Sequence, residues 1–370
     1  MLRLTHYTFF LFIFMSALII PSIIMLHSLA HDETSETKKA FNSTAPLFLK
    51  MKAFTHSFSK KVNDNFPFAE ELFSTNSWIN YRHFNSSIKN QQVILGKEGW
   101  LFYRDENVLK QYTPYNQLSE IELQLIKQNL IERKEYFDSL NISYMIAIVP
   151  NKHSVYDEYL PNWAQAHLFK SRIGDVTSIL QKITIPHVDL TSDLRAKKAE
   201  NLYKKTDTHW NDKGALVGYQ AIFNMLIKNS PDLPLYSQTL ESEITIRDSV
   251  EHGGDLARLL GLKSFIWEKS PHLQFPRNEV EKKQHDSYEE YQNKNGNGLS
   301  IFIFRDSFTS AMRPFFKNDF TRTFLRWDHQ INRSYIENEH PDLVLHVITE
   351  RYLHQLAVKD KREQSHYIFQ

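Results

Sequence analysis

Two short segments hold side chains whose types and spacing suit acyl transfer. The stretch KTDTHWNDKG, Lys205 to Gly214, sets a carboxylate, Asp207, two residues before an imidazole, His209, in a segment too polar to be core. That pair supplies a base and a group to orient it but contains no strong nucleophile of its own. The hexapeptide FRDSFT, Phe304 to Thr309, places Ser307 just after the apolar run LSIFIF, Leu299 to Phe304. A serine hydroxyl is a weak nucleophile that needs a base, so each segment supplies what the other lacks. Asp207, His209 and Ser307 together make an Asp-His-Ser set, and their order in the chain is no objection because such sets are defined by geometry. Each residue also has a plainer reading. Ser307 suits a helix N-cap, and His209 beside Trp210 suits a packed surface histidine. Asp-x-His also offers two metal ligands, although the sequence shows no further histidine or carboxylate cluster to complete a coordination sphere.

These residues need elements to hold them, and the pattern around them alternates. Leu118 to Leu140 has apolar residues at Ile121, Leu125, Leu130, Ile131 and Phe137, which suits an amphipathic helix. Ser143 to Pro150 (SYMIAIVP) is a continuous apolar run of the kind a buried parallel strand requires. A helix is expected over Arg172 to Lys182, a short strand over Ile185 to Leu190, and a helix from Asp212 to about Lys228. Leu299 to Phe304, Thr321 to Trp327 and Leu343 to Ile348 are further strand candidates with helices between some of them. Gln91 to Tyr103 (QQVILGKEGWLFY) reads as two short strands around a Gly-Lys-Glu-Gly turn, and Val62 to Asn90 as helical. Short buried strands alternating with helices predict an α/β fold: a three-layer α/β/α, flavodoxin-like domain on a mainly parallel sheet, with its site at the carboxyl ends of the strands. Ser307 then stands at a strand end and a helix start, where free backbone N–H groups are placed to bind a developing oxyanion.

The chain of 370 residues is 41% hydrophobic and 13% aromatic, enough to bury a large core. Its 44 basic and 43 acidic residues leave a formal charge of +1, so no global field points to nucleic acid. The absence of cysteine excludes disulfides, thiolate zinc sites and cysteine nucleophiles. From Tyr7 to Ala30 the sequence carries no charge apart from His27, a run long enough to cross a hydrocarbon core of about 30 Å. It exceeds the usual apolar region of a signal peptide, so a membrane anchor over residues 1–30 is favoured over a cleaved signal, despite the small residues Ser28 and Ala30. Arg3 on the inner side places the remaining chain outside the cytoplasmic membrane. Residues 31–60 are mixed and polar, a stalk, and residues 61–370 form the catalytic domain.

Four segments bear a resemblance: GKEGWLFY (Gly96 to Tyr103), VPNKHSVY (Val149 to Tyr156), DTHW (Asp207 to Trp210) and RDSF (Arg305 to Phe308). In this order they resemble the alginate O-acetyltransferase family (AlgJ/AlgX-like) of the SGNH hydrolase-like superfamily. The resemblance maps the family's Asp-x-His pair onto Asp207 and His209 and its nucleophile onto Ser307. GGDL (Gly253 to Leu256), PDL (Pro341 to Leu343) and ERY (Glu350 to Tyr352) also look familial, without assignable roles. Arg305 stands where the superfamily's Gly-Asp-Ser motif has glycine, and arginine is expected to be tolerated there.

The resemblance implies acetyl transfer through an acetyl-serine to hydroxyls of an extracytoplasmic polysaccharide, with no cofactor. A membrane-embedded acyltransferase is expected as acetyl donor and the polysaccharide as acceptor, captured by loops of the catalytic domain. Ser307 N–H is the first oxyanion donor and the Asn151 side chain a second, though Asn151 also suits a loop cap. Trp210, Tyr156 and Arg305 are candidates for contact with substrate, although core packing explains most aromatic residues. Two alternatives stay open: a carbohydrate acetyl esterase, which shares the acetyl-serine, and a non-catalytic polysaccharide-binding or assembly subunit that keeps the fold.

Overall fold

The computed structural model describes residues 19–20, 69–84, 92–104, 118–165, 171–236, 244–275 and 279–361. The anchor and stalk expected over residues 1–60 lie outside the described residues, Ile19 and Ile20 apart. Among the described residues no helix is long and apolar enough to cross a membrane. The chain divides into two compact units, residues 1–84 and 85–370. The first contains the helix Ala69–Phe84, within the stretch whose composition predicted helix.

The second unit opens with a hairpin of β1 (Val93–Leu95) and β2 (Leu101–Tyr103), paired antiparallel around the Gly-Lys-Glu-Gly turn. Helix α1 (Glu120–Ser139) begins at a capping box, in which Ser119 and Glu122 satisfy each other's backbone N–H groups. Its buried face is Ile126, Asn129, Leu130, Arg133 and Phe137. The expected apolar stripe is thereby corrected at two places, since Ile121 and Leu125 are exposed. Both project about 100° or more away from Ile126, at the centre of the buried face, and so fall outside the stripe that meets the core. Then follow β3 (Ser143–Val149), α2 (Arg172–Lys182), β4 (His187–Asp189) and α3 (Asp212–Asn229), close to the segments their periodicity predicts.

Strands β5 (Thr245–His252) and β6 (Trp267–Gln274) form a separate antiparallel ribbon. After β7 (Val280–Gln284) and β8 (Glu289–Asn293), the chain returns to the expected alternation. It runs through β9 (Ser300–Arg305), α4 (Thr309–Asp319), β10 (Arg322–Trp327), α5 (Arg333–Glu339) and β11 (Leu343–Thr349).

The main sheet has seven strands in the order β4-β3-β11-β9-β10-β8-β7. Every pairing from β4 to β10 is parallel, and β8 and β7 add to the β10 edge as antiparallel strands. The sheet is therefore mixed, a correction to the mainly parallel sheet expected. The physical reason is that VEKKQ is an exposed edge strand and EEYQN, though half-buried, is polar, so neither has the apolar run that marks a strand covered on both faces.

Two apolar clusters sandwich the parallel strands, as the period-two alternation of a strand requires. Met145, Ala147 and Val149 of β3 join Ile301, Ile303 and Val347 under α3 and α4. Tyr144, Ile146 and Ile148 join Phe302, Phe304 and Ile348 under α1, α2 and α5. These are the three layers, and the loops after β3, β9 and β11 emerge at one end of the sheet.

Candidate active site

Strand β9 ends at Arg305, and the next three residues turn the chain into α4. Asp306 fixes that turn. Its Oδ1 accepts the Phe308 N–H at 3.0 Å, while its Oδ2 accepts the N–H and hydroxyl of Thr349 at 2.8 and 2.6 Å. The turn is thus pinned to the carboxyl end of β11, and Ser307, partly exposed, stands at its apex. Arg305 needs no glycine-like backbone angle, because it closes a regular strand and has no positive φ.

The facing groups come from the loop between Tyr203 and Trp210, which an antiparallel bridge between those two residues closes. At its tip the Asp207 carboxylate accepts the His209 N–H at 3.0 Å, and Asp207 Oδ1 lies 2.7 Å from His209 Nδ1. On the other side of the ring, His209 Nε2 lies 2.7 Å from Ser307 Oγ. With Nδ1–H donating to Asp207, Nε2 is left to accept from the serine hydroxyl. Burial by itself would raise the Asp207 pKa. The bonds and charge from His209 and the N–H groups of His209 and Asp255 outweigh it and hold the carboxylate well below its ordinary range.

Three supports of this loop were not assigned from sequence. The first is Gly254-Asp255, inside the GGDL segment. The Asp255 N–H donates to Asp207 Oδ2 at 3.2 Å, and Gly254 packs so closely on Asp207 that no Cβ fits between them. The second is Thr206. Its hydroxyl accepts the Gly254 N–H at 2.8 Å and donates to Glu268 on β6, and its carbonyl accepts from Leu256 and Ala257 at the start of the helix Asp255–Leu259.

The third support is Lys152, just beyond β3. Its buried ammonium donates to the carbonyls of Lys204, Lys205 and Asp207 at 3.0, 3.0 and 2.6 Å, under the rings of Trp100 and Phe102 from the opening hairpin. Burial pulls its pKa down to about 7, against the attraction of Asp207, Glu268 and Asp255. Three acceptors need three N–H donors, which only the protonated form provides.

Asp255 also bears on metal binding. Asp207, His209 and Asp255 present ligand atoms within 4.8 Å of one another, Asp255 being a second carboxylate that the sequence pattern did not reveal. The Asp255 oxygens already accept the N–H and hydroxyl of Thr208 at 2.7 and 2.6 Å. Hydrogen bonding within the loop accounts for the cluster as it stands.

The remaining sequence candidates fall in different places. Trp210 is 2% exposed, its indole N–H donating to the Phe308 carbonyl at 3.1 Å, and Tyr156 is equally buried. Neither presents a face to a sugar, which corrects their expected role. Trp210 instead ties the His209 loop to the Ser307 turn. Asn151 is buried at the N-cap of the short helix Lys152–Val155, makes no side-chain capping bond, and gives its N–H to Glu350 Oε2 at 3.0 Å. Glu350, raised in pKa by burial, also accepts from Ser154 and Ser171 at 2.6 Å each, so ERY gains a structural role. The Arg351 guanidinium lies 5.3 Å over the Phe308 ring. The Arg305 guanidinium lies under the Trp327 ring and bonds Ser310 Oγ at 3.2 Å.

A family model described as an SGNH hydrolase-like domain, acetyltransferase AlgX, matches residues 93–295. The chain belongs to this family. The matched stretch includes Asp207, His209 and Asp255 and ends before Ser307.

Among curated proteins, the probable alginate O-acetylase AlgJ of Pseudomonas aeruginosa is 26% identical over 236 residues, 62% of this chain and 56% of that protein. The protein of the same name from Pseudomonas syringae pv. tomato is 24% identical over 253 residues, 68% of this chain and 59% of that protein. The chain thus spans a little over half the length of these curated relatives. Among solved structures, Bacillus cereus PatB1 with a sulfonyl adduct superposes with a TM-score of 0.57 at 16% identity, over 75% of this chain and 100% of that one. A DHHW family protein from Eubacterium siraeum gives 0.52 at 16% identity, over 72% and 97%. At such identities these likenesses show the SGNH-like α/β fold alone.

Proposed function

We propose that this family member is an O-acetyltransferase that carries an acetyl group on Ser307 and delivers it to hydroxyls of an extracytoplasmic polysaccharide. The observation that supports it is the unbroken row of bonds from Asp207 through His209 to Ser307 Oγ, 2.7 Å at each step. His209 Nε2 takes the hydroxyl proton as Oγ bonds to the donor's acetyl carbonyl carbon, and Asp207 stabilises the imidazolium that forms. Collapse of the tetrahedral intermediate returns that proton to the departing group and leaves acetyl-Ser307. An acceptor hydroxyl then gives its proton to His209 and attacks the same carbonyl carbon, and Oγ leaves and is reprotonated. Because Phe308 N–H is held by Asp306, the Ser307 N–H is assigned to the oxyanion, with Asn151 as the second candidate donor.

The acyl donor and setting belong to the same proposal. The apolar stretch Tyr7 to Ala30 anchors the chain with its catalytic unit outside the cytoplasmic membrane, where a membrane-embedded acyltransferase supplies acetyl groups. The names of the AlgJ relatives support an alginate-like acceptor. Brief exposure to 4-nitrophenyl acetate followed by peptide mass spectrometry is expected to find one added acetyl on the Ser307 peptide. Acetylation elsewhere, or full turnover by Ser307→Ala, would overturn the assignment. An esterase shares the first half-reaction, so acetate and acetylated oligosaccharide are to be quantified together. Acetate as sole product with every acceptor would favour the esterase.

A further inference from the structure

We infer that Trp327 is a stacking platform for a pyranose ring of the acceptor, at the edge of the site opposite His209. The inference rests on the acetyltransferase reading for the name of its ligand, but its observations are separate. Trp327 closes β10 directly beside Arg305, its register partner on β9, and Arg305 lies two residues before Ser307. The indole is therefore next to the strand whose end presents the nucleophile. Base and orienting carboxylate come from the Tyr203–Trp210 loop, which Lys152 joins to the end of β3. In the sheet order, β3 and β10 lie on opposite sides of β9.

Burial then separates this ring from the indoles of the opening hairpin and the His209 loop, while Trp267 on β6, also exposed, lies with its ring centroid 3.7 Å from that of His252. Trp100 and Trp210 are 1% and 2% exposed and pack in the core, whereas Trp327 is 60% exposed. An exposed tryptophan at a strand end carries an entropy cost on binding unless something holds its ring. Here the Arg305 guanidinium carbon sits 4.5 Å from the ring centroid. That guanidinium is itself buried and held by Ser310 Oγ at 3.2 Å and the Asp306 carbonyl at 3.4 Å. One indole face is thus fixed on a cation inside the protein and the other is left to solvent. A flat, preorganised apolar face beside an acyl-transfer nucleophile suits the C–H face of a sugar ring, whose hydroxyls stay free at its rim. Arg305, expected from sequence to touch substrate itself, acts through the indole as a positioning residue.

The test separates binding from acylation. The full chain is titrated calorimetrically with hexasaccharides of mannuronate, glucose and N-acetylglucosamine, without any acetyl donor. At least one is expected to bind, Trp327→Ala is expected to raise its Kd about tenfold, and Trp327→Phe, which keeps a ring, to restore most of the affinity. Tyr236→Ala, an exposed aromatic residue beyond the far end of α3, is expected to bind as the unsubstituted chain does. No binding of any of the three oligomers, or equal Kd values for Trp327→Ala and the unsubstituted chain, overturns the inference. Acetylation of Ser307 by 4-nitrophenyl acetate is measured on the same samples without sugar. Trp327-dependent sugar binding with no acetyl-serine would sink the acetyltransferase reading and leave this one standing; acetyl-serine with Trp327-independent binding does the reverse.

Discussion

A Cβ built on Gly254 would lie 2.5 Å from the Cβ of Asp207 and 2.6 Å from its Oδ2. The two residues are 47 positions apart in the chain, yet one limits the other's position, because backbone and a charged side chain meet with no space between them. Gly254→Ala is expected to push the carboxylate off His209 and lower kcat for 4-nitrophenyl acetate about 100-fold, with KM little changed. Steady-state kinetics decide this, and unaltered kcat would show that the contact relaxes elsewhere.

Removing the proposed reacting groups is expected to give a graded result. Ser307→Ala and His209→Ala are expected to lose about 10⁴-fold or more in kcat, and Asp207→Ala roughly ten- to a hundredfold less than either. The measurement is turnover of the aryl ester with each purified variant. Equal losses for all three would mean that Asp207 does more than orient and stabilise His209.

Lys152→Met deletes the donor that three carbonyls share. The Lys205 carbonyl keeps the Leu101 N–H at 2.9 Å, while those of Lys204 and Asp207 lose the ammonium. At about 1–3 kcal/mol for each buried carbonyl left unpaired, a loss of roughly 2 kcal/mol or more is expected by urea denaturation. The unsubstituted chain should lose kcat/KM as pH rises past about 7, where the ammonium gives up its third donor. An alkaline limb that persists unchanged in Lys152→Met would assign it to another group.

Acid should weaken the fold above the range where carboxylates titrate. Burial drives His153 down to about 3, holds His346 well below its ordinary value, and lowers His329 as well. An unfolded histidine titrates near 6.5, so below that pH the unfolded chain takes up protons that the folded chain refuses. Stability supplied by each fully buried imidazole is complete above 6.5 and falls by about 1.4 kcal/mol per pH unit as pH drops toward its folded value. Glu350 acts in the opposite sense, since its raised pKa lets the fold bind a proton first. Urea midpoints at pH 7 and pH 5 measure the net slope. His346→Gln should reduce stability at pH 7, through lost bonds to Arg133 and His329, and flatten that slope.

The central strands were legible because a strand covered on both faces must be apolar throughout, and SYMIAIV and LVLHVIT are nearly so. Even there His346 hides in the middle of a strand, satisfied by groups that no local pattern reveals. The ribbon of β5 and β6 and the β7–β8 hairpin went unread for the converse reason, since TIRDSVEH and VEKKQ face water.

The site divides in the same way. Asp207 and His209 betray themselves by side-chain type and spacing, and Ser307 by its place after a strand. Lys152, Gly254 and Glu350 act on backbone atoms or on close approach between segments far apart in sequence, and such partners leave no residue pattern. GGDL and ERY were visible as motifs, but their meaning lies in what they touch.

Trp210 follows the base directly, yet its ring is buried and bonded to the Phe308 carbonyl behind the nucleophile. A bulkier or smaller residue there would alter the gap between His209 and Ser307 before altering anything a sugar meets. Trp327, by contrast, lies against Arg305 and is 60% exposed. On the proposed reading, mutation can explore new glycans along the β10 edge while the His209–Ser307 distance stays under the guard of the core, so that substrate range and reaction type are free to evolve at different rates.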